Sequence, residues 1–351
     1  MTIGQRHLEK YGVWTDLAVE ARELIVHREG PPEIPGVEVE TEELPHAFVT
    51  RMNITTDNGA RIMDKAPGRY STIEAPEMRE RNKDIHMEIS QALAGEIERF
   101  LADLGPEDPI LVIGLGNWNA TPDALGPKVV ENLLVTRHLY EMTPPEVRGG
   151  LRPVAALAPG VLGLTGIETG ETIQALAAKL NPRMVICIDA LASRSVQRLA
   201  TTIQISDTGI NPGAGVGNKR LPINQETLGT SVLAIGVPTV IRAATIVTDA
   251  IEMAENPSQL QEPAIKEDLP QRTQFHIDPG NILNRGGGPA APMPRREVVN
   301  SLLGPFFGDM IVTPKEIDVL IDDVAEIIAG GLNAALHKSL DLDDVVQYLQ
   351  G

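Results

Sequence analysis

Apolar positions change period several times along the chain. From Leu17 they recur at helical spacing, with Leu17, Ala21, Leu24 and Ile25 on one face and Glu20, Glu23 and His27 pointing elsewhere. A helix is predicted there, and residues 1–16 fall outside it as a separable arm. Gly30 to Pro45 is rich in Pro and Glu and shows no period. His46 to Ile54 alternates as a strand does, Asp57-Asn58-Gly59 signals a turn, and Ala60 to Met63 is expected to return as the partner strand. Met87 to Leu104 reads as an amphipathic helix stopped by Gly105-Pro106.

The middle third is the most regular. Apolar runs occur at Ile110–Leu115, Val154–Leu157, Met184–Ile188, Thr202–Ile205 and Val232–Ile235, with helical patterns such as Val129–Met142 and Glu171–Leu180 between them. Runs that do not alternate belong to strands buried on both faces, as in parallel sheets. The predicted class is therefore α/β: a layered, largely parallel central sheet of about five strands with flanking helices, phosphorylase- or hydrolase-like. A smaller β-containing section near 45–85 accompanies it, which makes 17–255 one core. Residues 256–297, poor in apolar positions and carrying Gly286-Gly287-Gly288, read as an irregular insertion. Two helical patterns, Lys315–Gly330 and Leu332–Leu349, make 298–351 a helical section that packs on the core.

Composition narrows this further. Of 351 residues 42% are hydrophobic and only 3% aromatic, so the core is built from Val, Ile, Leu and Ala. A formal charge of −18 repels phosphate backbones, which argues against direct nucleic-acid binding. Cys187 is the single cysteine and admits no internal disulfide, which fits a reducing compartment. The first residues lack the apolar stretch of a secretory signal, and no run approaches the roughly 18 apolar residues of a bilayer span. A cytoplasmic protein with no membrane contact is expected.

Two acids stand where α/β sheets build sites, beyond the carboxyl ends of strands. Asp189 follows the run Met184–Ile188. Asp123 lies in the loop after Ile110–Leu115, within Gly114–Pro127 (GLGNWNATPDALGP). Two neighbouring carboxyls cannot both ionise cheaply; one keeps a proton while the other serves as base, which suits activating water against a peptide carbonyl. An Asp after a strand also caps helices, and Asp189 fits that role too. Asp207, in Asp207-Thr208-Gly209, follows another strand and is a candidate for support by hydrogen bonding. The same tripeptide marks pepsin-type proteases, but those are all-β and pair two such loops. Arg194, five residues past Asp189, fits tuning its pKa and equally an ordinary place on a helix surface, and His138 fits packing or contact with substrate. Ser193 and Ser206 have no histidine near them, since residues 139–275 contain none, so a Ser/His/Asp triad is disfavoured. Cys187, inside an apolar run, reads as core. The loop Asn211–Arg220 is glycine-rich and basic at its end, and suits shaping a substrate groove.

These blocks resemble a known family. Gly114–Pro127, Thr136–Leu139, Arg152–Thr169 (RPVAALAPGVLGLTGIET), Ile188–Arg194 (IDALASR), Thr202–Arg220 (TIQISDTGINPGAGVGNKR), Ala234–Val240 (AIGVPTV) and Val312–Asp318 (VTPKEID) look like the germination protease of spore-forming bacteria, in the same order. The resemblance implies an atypical aspartic endopeptidase, without a cofactor or metal, that initiates degradation of small acid-soluble spore proteins during germination. It implies Asp123 and Asp189 as the catalytic pair, a homotetramer, and a location in the forespore or spore core. It also implies a zymogen. Thr15-Asp16-Leu17-Ala18-Val19-Glu20 resembles the family's cleavage sequence, so a self-cut between Asp16 and Leu17, triggered by acid, would remove the propeptide 1–16. Asp16 fits equally as the N-cap of the helix that starts at Leu17. Gly114–Asn117 followed by Asp123 also resembles hydrogenase-maturation endopeptidases, which hold a metal between two acids and a histidine. The histidine they place downstream is missing from 190–250. A non-catalytic binder of spore proteins is the contrasting possibility.

Overall fold

A computed structural model describes residues 15–29, 33–142, 151–211, 221–247 and 310–338. The chain divides into two compact units, one drawn from residues 1–241 and 311–351, the other from Arg242–Met310. In the smaller unit the Ala243 amide donates to the Met310 carbonyl at 3.0 Å.

The large unit starts with helix α1 (Ala18–Glu29), strands β1 (Val37–Leu44) and β2 (Ala47–Ile54), helix α2 (Asp57–Met63), strand β3 (Gly68–Glu74) and helix α3 (Lys83–Phe100). There follow β4 (Ile110–Gly114), α4 (Leu125–Glu131), β5 (Val154–Leu157), α5 (Thr169–Leu180), β6 (Met184–Ser193), β7 (Thr202–Ser206) and β8 (Ser231–Arg242). A short β9 (Ile311–Val312) and helix α6 (Ile317–Leu336) close it. One nine-stranded sheet runs β1-β2-β3-β7-β8-β6-β4-β5, with β9 on β8.

Helices cover both faces. On one, Leu93, Ile97, Leu125, Val324 and Ile328 from α3, α4 and α6 are buried with Val112, Ile186, Ile188 and Ile205 of the strands. On the other, Ile173 and Ala177 of α5 pack with Ile113, Val185 and Cys187. Farther along, Ala18 and Ala21 of α1 and Met63 of α2 cover Met52, Ile54 and Tyr70.

The α/β class stands, but the sheet is mixed rather than largely parallel. β5, β4, β6 and β8 run parallel, whereas β8, β7, β3, β2 and β1 alternate in direction. β7 is buried throughout, like its parallel neighbours, so its sequence carries no sign of its direction. The smaller β-containing section is the antiparallel end of this same sheet, joined through β3 and β7.

Three local expectations fail for identifiable reasons. Asp57-Asn58-Gly59 opens α2 instead of a hairpin: Thr56 caps the helix, its Oγ1 accepting the Gly59 amide at 3.1 Å. The glycine is there for close approach, since a Cβ would stand 2.8 Å from the Gly36 carbonyl oxygen. β1 lies in the patternless stretch before Pro45; it is an edge strand exposed along most of its length, so no apolar alternation marks it. α6 runs unbroken through Gly330-Gly331, where two helices were expected. Gly331 faces α3, and a Cβ there would meet Leu93 Cδ2 at 2.8 Å. Residues 1–14, the segment 212–220 of the glycine-rich loop, the expected insertion 256–297 and the end of the last helical pattern lie outside the described residues.

Candidate functional site

β4 pairs in parallel with β5 on one side and β6 on the other. From β4 the chain crosses to β5 on one flank, then returns to β6 on the opposite flank. The carboxyl ends of β4 and β6 therefore bound a switch point, where diverging loops leave a crevice. β4 stops at Gly114, opposite Ile188, and the Leu115 amide still donates to the Ile188 carbonyl at 2.8 Å. Gly116, at φ +118°, turns the chain away. The following residues fold back, with the Asn117 amide donating to the Asp123 carbonyl at 3.0 Å and the Asp123 amide to the Ala120 carbonyl at 2.7 Å. A Cβ on Gly116 would fall 1.9 Å from the Asp123 carbonyl oxygen and 3.4 Å from its carboxyl carbon. The turn Thr121–Asp123 lies against β6.

Asp189 was expected just after its strand. Instead β6 continues to Ser193, paired with β8 through a register shift at Leu191/Ala192, opposite Pro238. A polar residue ended the apolar run in the sequence but not the strand, because β8 extends beside it. Asp189 is 7% exposed, and its Oδ1 accepts the Ala190 amide at 2.9 Å. It sits one residue past the point where β4 ends, on the sheet face it shares with Cys187 and Leu191. Asp123 and Asp189 thus arise at the same end of neighbouring parallel strands.

Of the other candidates, Asp207 and His138 are not brought to that end, whereas Arg194 lies at it. β7 is antiparallel to β8, and Ser206 lies opposite Ala234, itself opposite Cys187, so Asp207 leads away from Asp189. Its carboxylate accepts from the Arg69 amide at 2.8 Å and from Arg69 Nε at 2.7 Å. His138 is exposed, two residues after Thr136, whose amide donates to the Val154 carbonyl at the amino end of β5. That is the far end of the parallel strands from Asp189. Arg194 follows β6, its amide donating to Glu20 Oε2 at 2.8 Å. Cys187 is fully buried, which pushes its thiol up. Among the described residues no group of three or more His, Cys, Asp or Glu is arranged to hold a metal ion.

Asp16 and Leu17 lie beside this end of the sheet. The Asp16 amide donates to the Ala192 carbonyl at 3.2 Å, and the Ala192 amide to Asp16 Oδ2 at 2.9 Å. Leu17 is fully buried with Val19 and Leu191. Glu20, expected to point outward, is 3% exposed; its carboxylate accepts the amides of Arg194 and Ser195 at 2.8 and 3.0 Å and the Thr15 hydroxyl. Two further residues escaped the sequence reading. Lys65 Nζ donates to the carbonyls of Thr15 and Asp16 at 3.1 and 2.9 Å. Burial lowers its pKa, against the pull of Asp16, Asp64 and Glu20. Gln204 lies across from Asp189, both being opposite Gly236, and its Nε2 donates to the Asp16 carbonyl at 3.2 Å. No local pattern marks either residue, since each acts on a segment far off in sequence.

Comparison with known proteins adds an independent finding. A family model described as germination protease matches residues 18–257 and 254–349. The chain is 48% identical to a germination protease of Clostridium perfringens, over 97% of this chain and 99% of that one. It is 43% identical to those of Bacillus cereus and Clostridium tetani, covering 97% and 96% of this chain and 98% and 99% of theirs.

Proposed function

The chain belongs to the germination protease family and is an endopeptidase acting on protein; from that premise we propose that it cuts small acid-soluble spore proteins with water activated between Asp123 and Asp189. One observation carries the pairing. β4 ends at Gly114 opposite Ile188, one residue before Asp189, and Gly116 beyond it leaves room for the Asp123 turn to fold back. In this reading one carboxyl is protonated and the other ionised. The ionised group takes a proton from water as its oxygen adds to the substrate carbonyl. The protonated group hydrogen-bonds the carbonyl oxygen, and a proton then passes to the leaving nitrogen as the C–N bond breaks.

The chain is, on the same reading, a zymogen that removes residues 1–16 by its own cut between Asp16 and Leu17. Acid is the trigger in this reading, and the chain on either side of the bond is held by the Asp16 carboxylate, which accepts the Ala192 amide, and the Glu20 carboxylate, which accepts those of Arg194 and Ser195. The family likeness extends the proposal to a homotetramer in the spore core. No helix among the described residues is long and apolar enough to cross a membrane.

Asp123→Asn and Asp189→Asn are each expected to lower turnover of a spore protein by about 10²- to 10⁴-fold, with an unchanged far-ultraviolet circular dichroism spectrum. Products of the parent enzyme should end in Glu or Asp before an apolar residue. Near-parental turnover by either variant removes that residue from the pair. Stable complexes without peptide products would turn the reading to a binder.

A further inference from the structure

The bond assigned to self-cleavage is held at both its carbonyl oxygen and its amide. Its carbonyl oxygen, on Asp16, accepts from Lys65 Nζ at 2.9 Å and Gln204 Nε2 at 3.2 Å. Its amide, on Leu17, donates to Thr15 Oγ1 at 3.1 Å, and that hydroxyl in turn donates to Glu20. Gln204 also grips the far side of Leu17, its Oε1 accepting the Ala18 amide at 2.6 Å. Lys65 bridges the carbonyls of residues 15 and 16.

Two donors on one carbonyl oxygen is the arrangement of an oxyanion hole. Position argues otherwise. Ala192, where Asp16 is anchored, lies three residues along β6 from Asp189, and Gln204 lies two strands across from it. Each separation, from backbone to backbone, is about 10 Å at the usual strand rise and spacing. Attack needs the reacting atoms within roughly 3–3.5 Å. Cutting in place would also create a new α-ammonium at the fully buried Leu17, beside the Lys65 side chain.

We propose that Lys65 and Gln204 form a latch that keeps the Asp16–Leu17 bond intact, and that self-cleavage proceeds from a released state in which both side chains have let go of the Asp16 carbonyl. This rests on the reading that the chain cuts itself at that bond. In the released state water adds to the Asp16 carbonyl carbon, the C–N bond breaks, and the products are an Asp16 carboxylic acid and a Leu17 amine. The latch sets how often that state is reached. The oxyanion alternative assigns the same contacts the opposite effect, so the sign of a substitution separates the two.

The test uses the full chain at mildly acid pH and follows, by intact-mass spectrometry, the rate at which a fragment beginning at Leu17 appears. Lys65→Met, Gln204→Leu and Gln204→Glu are each expected to cut about tenfold faster than the parent, the scale of one or two lost hydrogen bonds. Gln204→Glu keeps an acceptor for Ala18 and, as a carboxylate, has no donor for Asp16. A rate unchanged or slowed in all three, with the parent cutting normally, overturns the latch alone. A parent that never yields the Leu17 fragment overturns the self-cleavage reading and the latch with it. To guard against misfolding, hydrogen exchange is measured in an uncut Asp189→Asn background. Adding Lys65→Met should speed exchange at the Asp16, Ala18 and Ala192 amides while α3 and α6 stay protected, and unchanged exchange there also overturns the proposal.

Discussion

Gly116→Ala and Gly95→Ala are the same chemical change with opposite expected outcomes. At Gly116, φ is +118°, a region that costs an L-residue about 1–3 kcal/mol. The new Cβ would lie 1.9 Å from the Asp123 carbonyl oxygen, a backbone atom that no rotamer change can move. Overpacking of this kind costs about 1–3 kcal/mol more. Together these come to about 2–6 kcal/mol, a large part of the 5–15 kcal/mol that holds a typical domain. The relief available is displacement of the Thr121–Asp123 turn, and if Asp123 acts as proposed, a shift of about 1 Å in it costs about 100-fold in rate. Gly95 is exposed on α3 with nothing within 4 Å of its added Cβ, so Ala there stabilises by about 1 kcal/mol through helix propensity. Urea unfolding followed by circular dichroism gives both stabilities, and cleavage of a reference polypeptide gives both activities. A Gly116→Ala enzyme with parental stability and turnover would refute the claim that this glycine seats Asp123.

Two further predictions concern the scaffold. Burial raises the Tyr70 hydroxyl, which donates to the Ala66 carbonyl at 2.8 Å, from 10.0 to about 12. The folded state keeps that proton longer than the unfolded chain, so the contribution is complete below pH 10 and is lost as pH rises to 12. The loss is about 2.7 kcal/mol for two units, and Tyr70→Phe should remove it from a urea stability profile between pH 9 and 12. Gly331→Ala should destabilise by about 1–3 kcal/mol despite a better helix propensity, because the added carbon meets Leu93 Cδ2 at 2.8 Å and the Ser90 carbonyl at 3.0 Å; a raised urea midpoint would contradict that helix contact.

Central strands were legible because burial on both faces leaves an unbroken apolar run. Val154–Leu157 was located to the residue, and the run at Ile110 overran its strand by one. Strand ends were less legible. Asp189 and Pro238 look like terminators, yet β6 and β8 carry on past them together, because a bulge absorbs the proline and paired backbone outweighs a single polar residue. Direction was not legible, since Thr202–Ser206 is buried in an antiparallel pairing as completely as its parallel neighbours. In the site, the acids stood out through their place after apolar runs and through family-like blocks. Lys65 and Gln204 did not, because a lysine after a short helix and a glutamine in a strand look ordinary until the fold brings residues 15–18 to them.

The mixed sheet gives these residues different roles by position. Both aspartates come from the parallel half, where β4 and β6 diverge at their carboxyl ends. Gln204 comes from β7 and Lys65 from the link between α2 and β3, both in the antiparallel half. Pairing β7 against β8 sets Gln204 level with Asp189, with only Gly236 between them in the row. A side chain at that middle position would collide with Leu191, whose Cδ1 would stand 2.5 Å away, and Leu191 is also what Leu17 packs against. The half that lacks the acids therefore reaches the same end of the sheet and holds the chain's own segment there. Substitutions in the parallel half should change whether a peptide bond is broken. Those at Lys65 and Gln204 should change when the Asp16–Leu17 bond becomes available.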